Sequence, residues 1–380
     1  MSARVRELAA LFDAQRDSML EDLGSLVVRE SPSTDSSLVS ALARWIAERL
    51  GKSGIEAACV PCSGRGDALR VRLGPERGGA LVLGHIDTVW PAGTLAEIPF
   101  RVEEGVARGP GVFDMKGGVT VAIAVLEALA RGDVKAAEGV SLFLTPDEEL
   151  GSRASRDLLV GEALNRDRVL VLEPAGDGGA AKIARKGTGL VTARFTGVAA
   201  HAGLEPEKGA SALLEMARFA LYADALADVP SGTSVVPTVA ASGTTTNVVP
   251  EQATLSVDFR LWSEAEGQRV LAGLNAYRPA NGRVAVTIEG GVNRPPMEAT
   301  EASLALYRRA AALAQTLGFP LPGIRVGGAS DGNLTASAGV PTLDGLGPSG
   351  AGAHARTEHL LVDDLPRRAA LLAALLEGAA

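Results

Sequence analysis

The sequence predicts an α/β sandwich interrupted by a small α+β insert, and three observations carry that expectation. Apolar strand-like segments alternate with helical ones over the first 185 residues. Near Gly189 the texture changes to segments in which apolar and polar residues alternate, and after Pro295 and Pro296 the first texture returns. Strands that alternate with helices favour a largely parallel sheet, whereas alternation within a segment marks half-exposed strands. The 380 residues allow two domains. They are assigned here as residues 1–187 with 296–380, and an inserted domain over 188–295.

In chain order, MSARVRELAALFDAQRDSMLEDL reads as one amphipathic helix, with acids among its apolar residues and no signal-peptide core. A helix is expected over 38–51, then ALRVRLG as a strand. Between them lie the only two cysteines, Cys59 and Cys62, in a C-x-x-C. A redox pair of that form needs to open a helix after a strand. This pair does not, and two ligands alone do not make a structural zinc site, so the thiols read as structural. Strands are expected over 80–84, 139–144 and 169–172, and a core helix over 116–130, which is apolar almost all round. In the insert, LVTARFTG, ATLSVDFRLW and VAVTIEG read as strands, with helices over 209–225 and 264–276. A helix over 303–317 follows. Asp363 and Asp364 suit the cap and first turn of a last helix, where Pro366 is tolerated.

Composition narrows the function. Hydrophobic residues make up 46% and charged residues 22%, the balance of a globular protein. The net charge is −8 and aromatics are 4%, so the basic patch and stacking platform of a nucleic-acid binder are both lacking. The longest uncharged apolar run, 117–126, is well short of the ~20 residues a membrane helix needs. A cytoplasmic enzyme is the expectation.

Four histidines in the whole chain make each position informative. His85 ends the strand in LVLGHIDTVW, where Asp87, two residues on, points to the same face and can orient the imidazole. Asp114 lies in the glycine-rich turn GPGVFDMKGG. Glu148 and Glu149 follow a strand in TPDEELGS, Glu173 follows VLVL, and His354 sits in the loop GLGPSGAGAHARTE. Each has an ordinary reading as a strand-end or loop residue. Together they do not, because His85, Glu149 and Glu173 end strands of one domain, and open α/β sheets place ligands at such ends. Three carboxylates and two imidazoles brought together repel one another unless cations neutralise them. Two divalent metals sharing an aspartate would do so. Mixed histidine and carboxylate donors suit zinc, with cobalt or manganese as substitutes.

The ordered set HIDTVWP, GPGVFDMKGG, TPDEELGS, LEP, AAHAG and the late histidine loop resembles the dinuclear-zinc exopeptidase family. That family includes the folate-cleaving bacterial glutamate carboxypeptidase, aminoacylase, and the succinyl-diaminopimelate and acetylornithine deacylases. The resemblance implies a zinc-exopeptidase-like catalytic sandwich and a ferredoxin-like lid that also dimerises. It implies two zinc ions per chain, one held by His85 and Glu173, the other by Glu149 and His354. Asp114 would bridge them and precede a cis peptide. Asp87 would orient His85, and Glu148 would act as general base. His201, in GVAAHAG, and Asn247 would form an oxyanion hole reaching across a homodimer. His359 lies outside every motif and reads as a surface residue.

The resemblance departs in two places. HARTEH is one residue shorter to its glutamate than in the glutamate carboxypeptidase pattern. GGASDGN stands where that pattern is richer in glycine and threonine. Both border the substrate site rather than the ligands. Lys182, Arg260 and Arg294 match residues that hold a C-terminal glutamate in the folate-cleaving enzyme, although Lys182 could be solvated and Arg260 could pair with a neighbouring acid. The expectation is a metallo-carboxypeptidase acting before an acidic C-terminal residue, on small peptides or N-acyl amino acids. The alternatives are a small-molecule deacylase or dipeptidase with the same metal ligands, and a non-catalytic binder, which would be expected to lack Glu148 or Asp87.

Overall fold

The structure, a computed structural model, describes residues 2–136 and 138–378. The chain divides into two compact units, one of Met1–Ala184, Ala299–Arg325 and Ser330–Ala380, the other of Arg185–Glu298 and Val326–Ala329. The short segment Val326–Ala329 thus groups with the second unit, although its sequence texture put it in the first. Lys186 N donates to Val326 O at 3.1 Å and accounts for part of that attachment.

The first unit is built on a six-stranded sheet in the order Ala57–Val60, Ala68–Leu73, Val140–Thr145, Ala80–His85, Arg168–Val171 and Thr342–Leu343. The last four run parallel to one another, and the first two are antiparallel additions at one side. Ala80–His85 and Val140–Thr145 are buried at every position, as the continuous apolar runs of a strand covered on both faces require. In register, His85 pairs with Thr145 and Leu83 with Val171. The carboxyl ends of three neighbouring strands therefore open at one edge.

The core helix Gly117–Arg131 is buried from Gly117 to Ala128 and ends at Gly132, whose φ of 78° supports a hydrogen bond from Asp133 N back to Ala128 O. Its second residue must be glycine. A Cβ on Gly118 would lie 2.1 Å from Leu172 O, so the helix start sits hard against the strand end that leads into Glu173.

Three local expectations change. The N-terminal stretch forms two helices, Ser2–Asp13 and Arg16–Val27, and the break re-aims the second so that Met19, Leu23 and Leu26 join the same core as Val5, Leu8 and Phe12. Asp363 makes no side-chain cap on the last helix, Asp364–Leu376. Asp364 instead accepts from Ser349 N at 2.7 Å and Arg368 Nε at 3.0 Å. An unforeseen sheet of short strands, Gly350–Ala351, His359–Leu361, Val106–Arg108 and Arg101–Glu103, ties the late histidine loop to the chain just before Asp114. Cys59 lies on the edge strand and both thiols are free. Burial pushes both thiols upward, away from reactivity.

In the second unit, strands Gly187–Thr196, Ser234–Ser242, Gln252–Leu261 and Ala285–Arg294 alternate with helices Ala212–Asp224 and Glu264–Asn275 as β-α-β-β-α-β. All strand pairs are antiparallel, in the spatial order 234–242, 252–261, 187–196, 285–294, which is a ferredoxin-like sheet. Alternation along Gln252–Leu261 buries Ala253, Leu255, Val257, Phe259 and Leu261 on one face, against Phe195 and Phe219. Serines cap both helices: Ser211 Oγ accepts from Leu214 N, and Ser263 Oγ from Glu266 N. Among the described residues, no helix is long and apolar enough to cross a membrane.

Candidate metal centre

His85 ends its strand fully buried, and its Nε2 lies 3.1 Å from Asp114 Oδ1 and 3.6 Å from Glu173 Oε1. On the other side, His354 Nε2 lies 3.3 Å from Asp114 Oδ2 and 3.2 Å from Glu149 Oε2. Asp114 thus gives one oxygen to each of two donor sets, and all five expected ligands are brought together. The Asp114–Met115 peptide is cis. His354 has a φ of 62°, a left-handed conformation uncommon for a residue with a side chain, so the glycine-rich loop holds it in a specific pose.

These separations fit metal ions. Four donors at 2.0–2.1 Å around a tetrahedral centre stand about 3.3 Å apart. The four nitrogen-to-oxygen distances span 3.1 to 3.6 Å. Ligand atoms of His85, Asp114 and Glu149 lie within 4.8 Å of one another. Glu149 Oε1 is buried with no hydrogen-bond partner in the protein, which leaves a carboxylate oxygen in need of a cation.

The electrostatics agree. Hydrogen bonds to Asp114 and Glu149 push the His354 imidazole up to about 10. Burial opposes charge on His85, yet hydrogen bonds to Asp114 and Asp87 raise it well above an ordinary imidazole. Burial likewise opposes ionisation of Asp114, but hydrogen bonds from His354 and His85 hold it well below the usual carboxylate range. The site demands positive charge and draws protons onto its imidazoles to obtain it.

Asp87 meets His85, as its spacing suggests, and has a second task. His85 Nδ1 is 2.9 Å from the main-chain oxygen of Asp87 and 3.5 Å from its Oδ1. The backbone oxygen makes the shorter contact to the imidazole, with the carboxylate close behind it. The buried carboxylate also accepts from Glu148 N at 3.1 Å and Glu149 N at 3.2 Å, fixing the short turn Glu148–Leu150. Behind that turn, Asp331 accepts from Thr145 Oγ1 at 2.6 Å and from Ser152 Oγ. The segment GGASDGN thus braces the Glu148–Glu149 turn, a role its sequence did not disclose.

The glutamate of HARTEH also has a role that its spacing did not disclose. Glu358, buried, accepts from Trp90 Nε1, Gly111 N, Phe113 N and Asp114 N at 2.8 to 3.0 Å. Burial pushes its carboxyl upward against the pull of those N–H groups.

In the second unit, Ala200–His201 pairs with Val248–Val249, and Ala202 N donates to Asn247 O at 2.8 Å. His201 and Asn247 are therefore neighbours, and both are exposed. His201 Nδ1 accepts from Gly203 N and Leu204 N, each at 3.1 Å, so the proton of the neutral ring is on Nε2. Of the three expected substrate cations, Lys182 Nζ lies 4.0 Å from Glu173 Oε2, and Arg294 is buried at the end of its strand. Arg260 follows its alternative reading, as partner of a neighbouring acid: its Nε and Nη2 are both taken by Asp258, at 2.8 and 3.0 Å, because residues two apart on a strand share a face. A substrate carboxylate would have to displace that pair.

Residues 81–378 match the profile of Peptidase family M20/M25/M40. The chain is 31% identical over 381 residues to carboxypeptidase G2 of Pseudomonas sp., covering 96% of this chain and 91% of the relative. It is 29% identical over 367 residues to succinyl-diaminopimelate desuccinylase of Alkalilimnicola ehrlichii, covering 91% and 95%. Among solved structures, aminopeptidase PepT from Bacillus cereus superposes with a TM-score of 0.78 at 20% identity, over 95% of this chain and 98% of that one, a likeness of fold alone. By profile, relatives and fold together, the chain belongs to peptidase family M20/M25/M40 and is a hydrolase of the metallopeptidase type.

Proposed function

We propose that the chain is a dizinc carboxypeptidase that cleaves the amide bond before an acidic C-terminal residue, glutamate foremost, in small peptides or N-acyl amino acids. The observation that carries the reading is the division of Asp114, with Oδ1 beside His85 and Glu173 and Oδ2 beside His354 and Glu149. His85, Glu173 and Asp114 would hold one zinc, and His354, Glu149 and Asp114 the other, with cobalt or manganese as substitutes. When bound, such a pair supplies Lewis-acid polarisation of the scissile carbonyl and acidifies a water.

The rest falls to the chain's own groups. Glu148, positioned through its amide by Asp87, takes the proton of the attacking water and returns it to the departing nitrogen. His201, with its proton on Nε2, and Asn247 donate hydrogen bonds to the developing oxyanion. Their exposure supports a homodimer in which they serve the opposite subunit's site. Lys182 offers a point charge and Arg294 a bidentate fork for a dicarboxylate leaving group, with Arg260 reached only by displacing Asp258.

Likeness to a carboxypeptidase over nearly the whole chain favours this reading, while likeness to a desuccinylase supports a small-molecule deacylase as the second. The test is a ninhydrin screen of N-acyl amino acids and dipeptides, repeated with Arg294→Ala. Preference for C-terminal glutamate, with kcat/KM falling ~10–150-fold in the variant, is expected for loss of a charge-assisted bond. Equal or better turnover of C-terminal alanine or leucine substrates leaves a broad aminoacylase or dipeptidase.

A further inference from the structure

Glu358 sets a puzzle of cost. A carboxylate buried to 3% exposure is expensive, and apolar residues would fill the same space more cheaply. Its Oε1 accepts from Phe113 N at 2.9 Å and Asp114 N at 3.0 Å. Its Oε2 accepts from Gly111 N at 2.9 Å and Trp90 Nε1 at 2.8 Å. Four N–H donors saturate an ionised carboxylate, which is an acceptor only and offers about four lone-pair sites. No neutral side chain of this size can take all four.

The four donors lie on two loops, and Glu358 on a third. Trp90 belongs to the segment that follows His85. Gly111, Phe113 and Asp114 belong to the turn that carries the shared carboxylate. Glu358 lies four residues after His354, joined to it through hydrogen bonds from Ala355 N to Gly352 O and from Glu358 N to Ala355 O. The next residues, His359–Leu361, pair with Val106–Arg108. The Asp114 and His354 loops are thus clasped at one point. By contrast, His85 and Glu173 follow adjacent parallel strands, which hold them without Glu358.

We propose that Glu358 is a positioning residue that sets the Asp114 turn and the His354 loop in mutual register, so that the half-site of Asp114, His354 and Glu149 depends on it for ion affinity. The proposal rests on the two-ion reading above. It assigns Glu358 no contact with substrate. Its effect falls unequally on the two half-sites, because two ligands of that one, Asp114 and His354, lie on clasped loops, whereas the other shares only Asp114 with them.

The test is a titration of the metal-free full-length chain with Co²⁺, followed by calorimetry and visible absorption, on wild type, Glu358→Gln and Trp90→Phe. Glutamine keeps the shape but turns an NH₂ group toward two N–H donors. The wild type should take up two equivalents. Glu358→Gln should weaken one step by ~10–100-fold, the scale of losing a partner behind a ligand, and the other by clearly less. Trp90→Phe removes a single donor and should weaken the same step by less. A purely structural role would lower the melting point of the metal-free protein without changing the ratio of the two affinities. An unchanged ratio in Glu358→Gln overturns the proposal, and if that variant does not fold, an unchanged ratio in Trp90→Phe overturns it instead. A wild-type chain that binds one equivalent or none overturns the two-ion reading and this proposal with it.

Discussion

Replacing Asp87 with asparagine separates two jobs that one residue performs. Its main-chain oxygen, 2.9 Å from His85 Nδ1, survives the substitution. Its carboxylate, which takes Glu148 N on Oδ1 and Glu149 N on Oδ2, does not. Asparagine retains one acceptor oxygen and sets an NH₂ group against the other amide, so one bond is lost and a buried N–H is orphaned. A hydrogen bond to a charged acceptor is worth ~1.5–3 kcal/mol. If that whole loss falls on the placement of the base, kcat/KM drops ~10–150-fold, since each 1.36 kcal/mol is tenfold in rate. The metal content should fall less than the rate, because the backbone oxygen still holds His85 Nδ1. Steady-state rates on an N-acyl glutamate, with elemental analysis of the same samples, read both quantities. An unchanged kcat/KM refutes the clamp. Loss of metal in step with activity would mean that the carboxylate chiefly holds the ligands His85 and Glu149 rather than the base.

Glu148→Ala should lower kcat by ~10²–10⁴-fold while both ions remain bound, since it removes proton transfer rather than coordination; an emptied site would mean that Glu148 and Glu149 exchange roles. Mixing inactive His201→Ala with inactive Glu148→Ala should restore activity through heterodimers with one working site, and no recovery despite confirmed subunit exchange would place the action of His201 within its own chain. Glu215 is buried in the second unit; burial pushes its carboxyl up, but hydrogen bonds from Tyr277 Oη, the amides of Ala280 and Asn281, and Arg218 hold it below its ordinary value of 4.5. A folded-state value lowered in this way stabilises the protein above 4.5 and is lost as pH falls through it, so thermal midpoints should drop on acidification and drop less steeply in Glu215→Gln. Parallel curves for the two proteins would remove Glu215 from the acid limb.

Much of the site was legible because its carriers are local. His85, Glu149 and Glu173 lie at the ends of apolar strands whose pattern alone indicates those ends, and Asp114 and His354 sit in glycine-rich turns, ordinary singly, that gain meaning in that company. What escaped notice was non-local or below the length at which periodicity speaks. Glu358 meets amides 244 to 247 residues away, and strands of two or three residues carry no pattern. The motif HARTEH marked that glutamate by its spacing from His354 and set it beside the substrate site, but not as a buried acid, and acids in loops are ordinarily solvated. Asp331 reaches Thr145 across 186 residues and was equally silent. For Asp87 the spacing rule identified the partner of His85 but not the second task of its carboxylate, which takes the amides of Glu148 and Glu149. For Arg260 pairing with a neighbouring acid was one of two readings, and the same i, i+2 rule names that acid as Asp258.

The central claim is that Asp114 is shared between two ions. Elemental analysis of purified, active wild-type chain tests it most directly. The account predicts two equivalents of divalent metal per chain, with activity lost on chelation and restored by zinc, cobalt or manganese. One tightly held ion in fully active protein, or none, would contradict it.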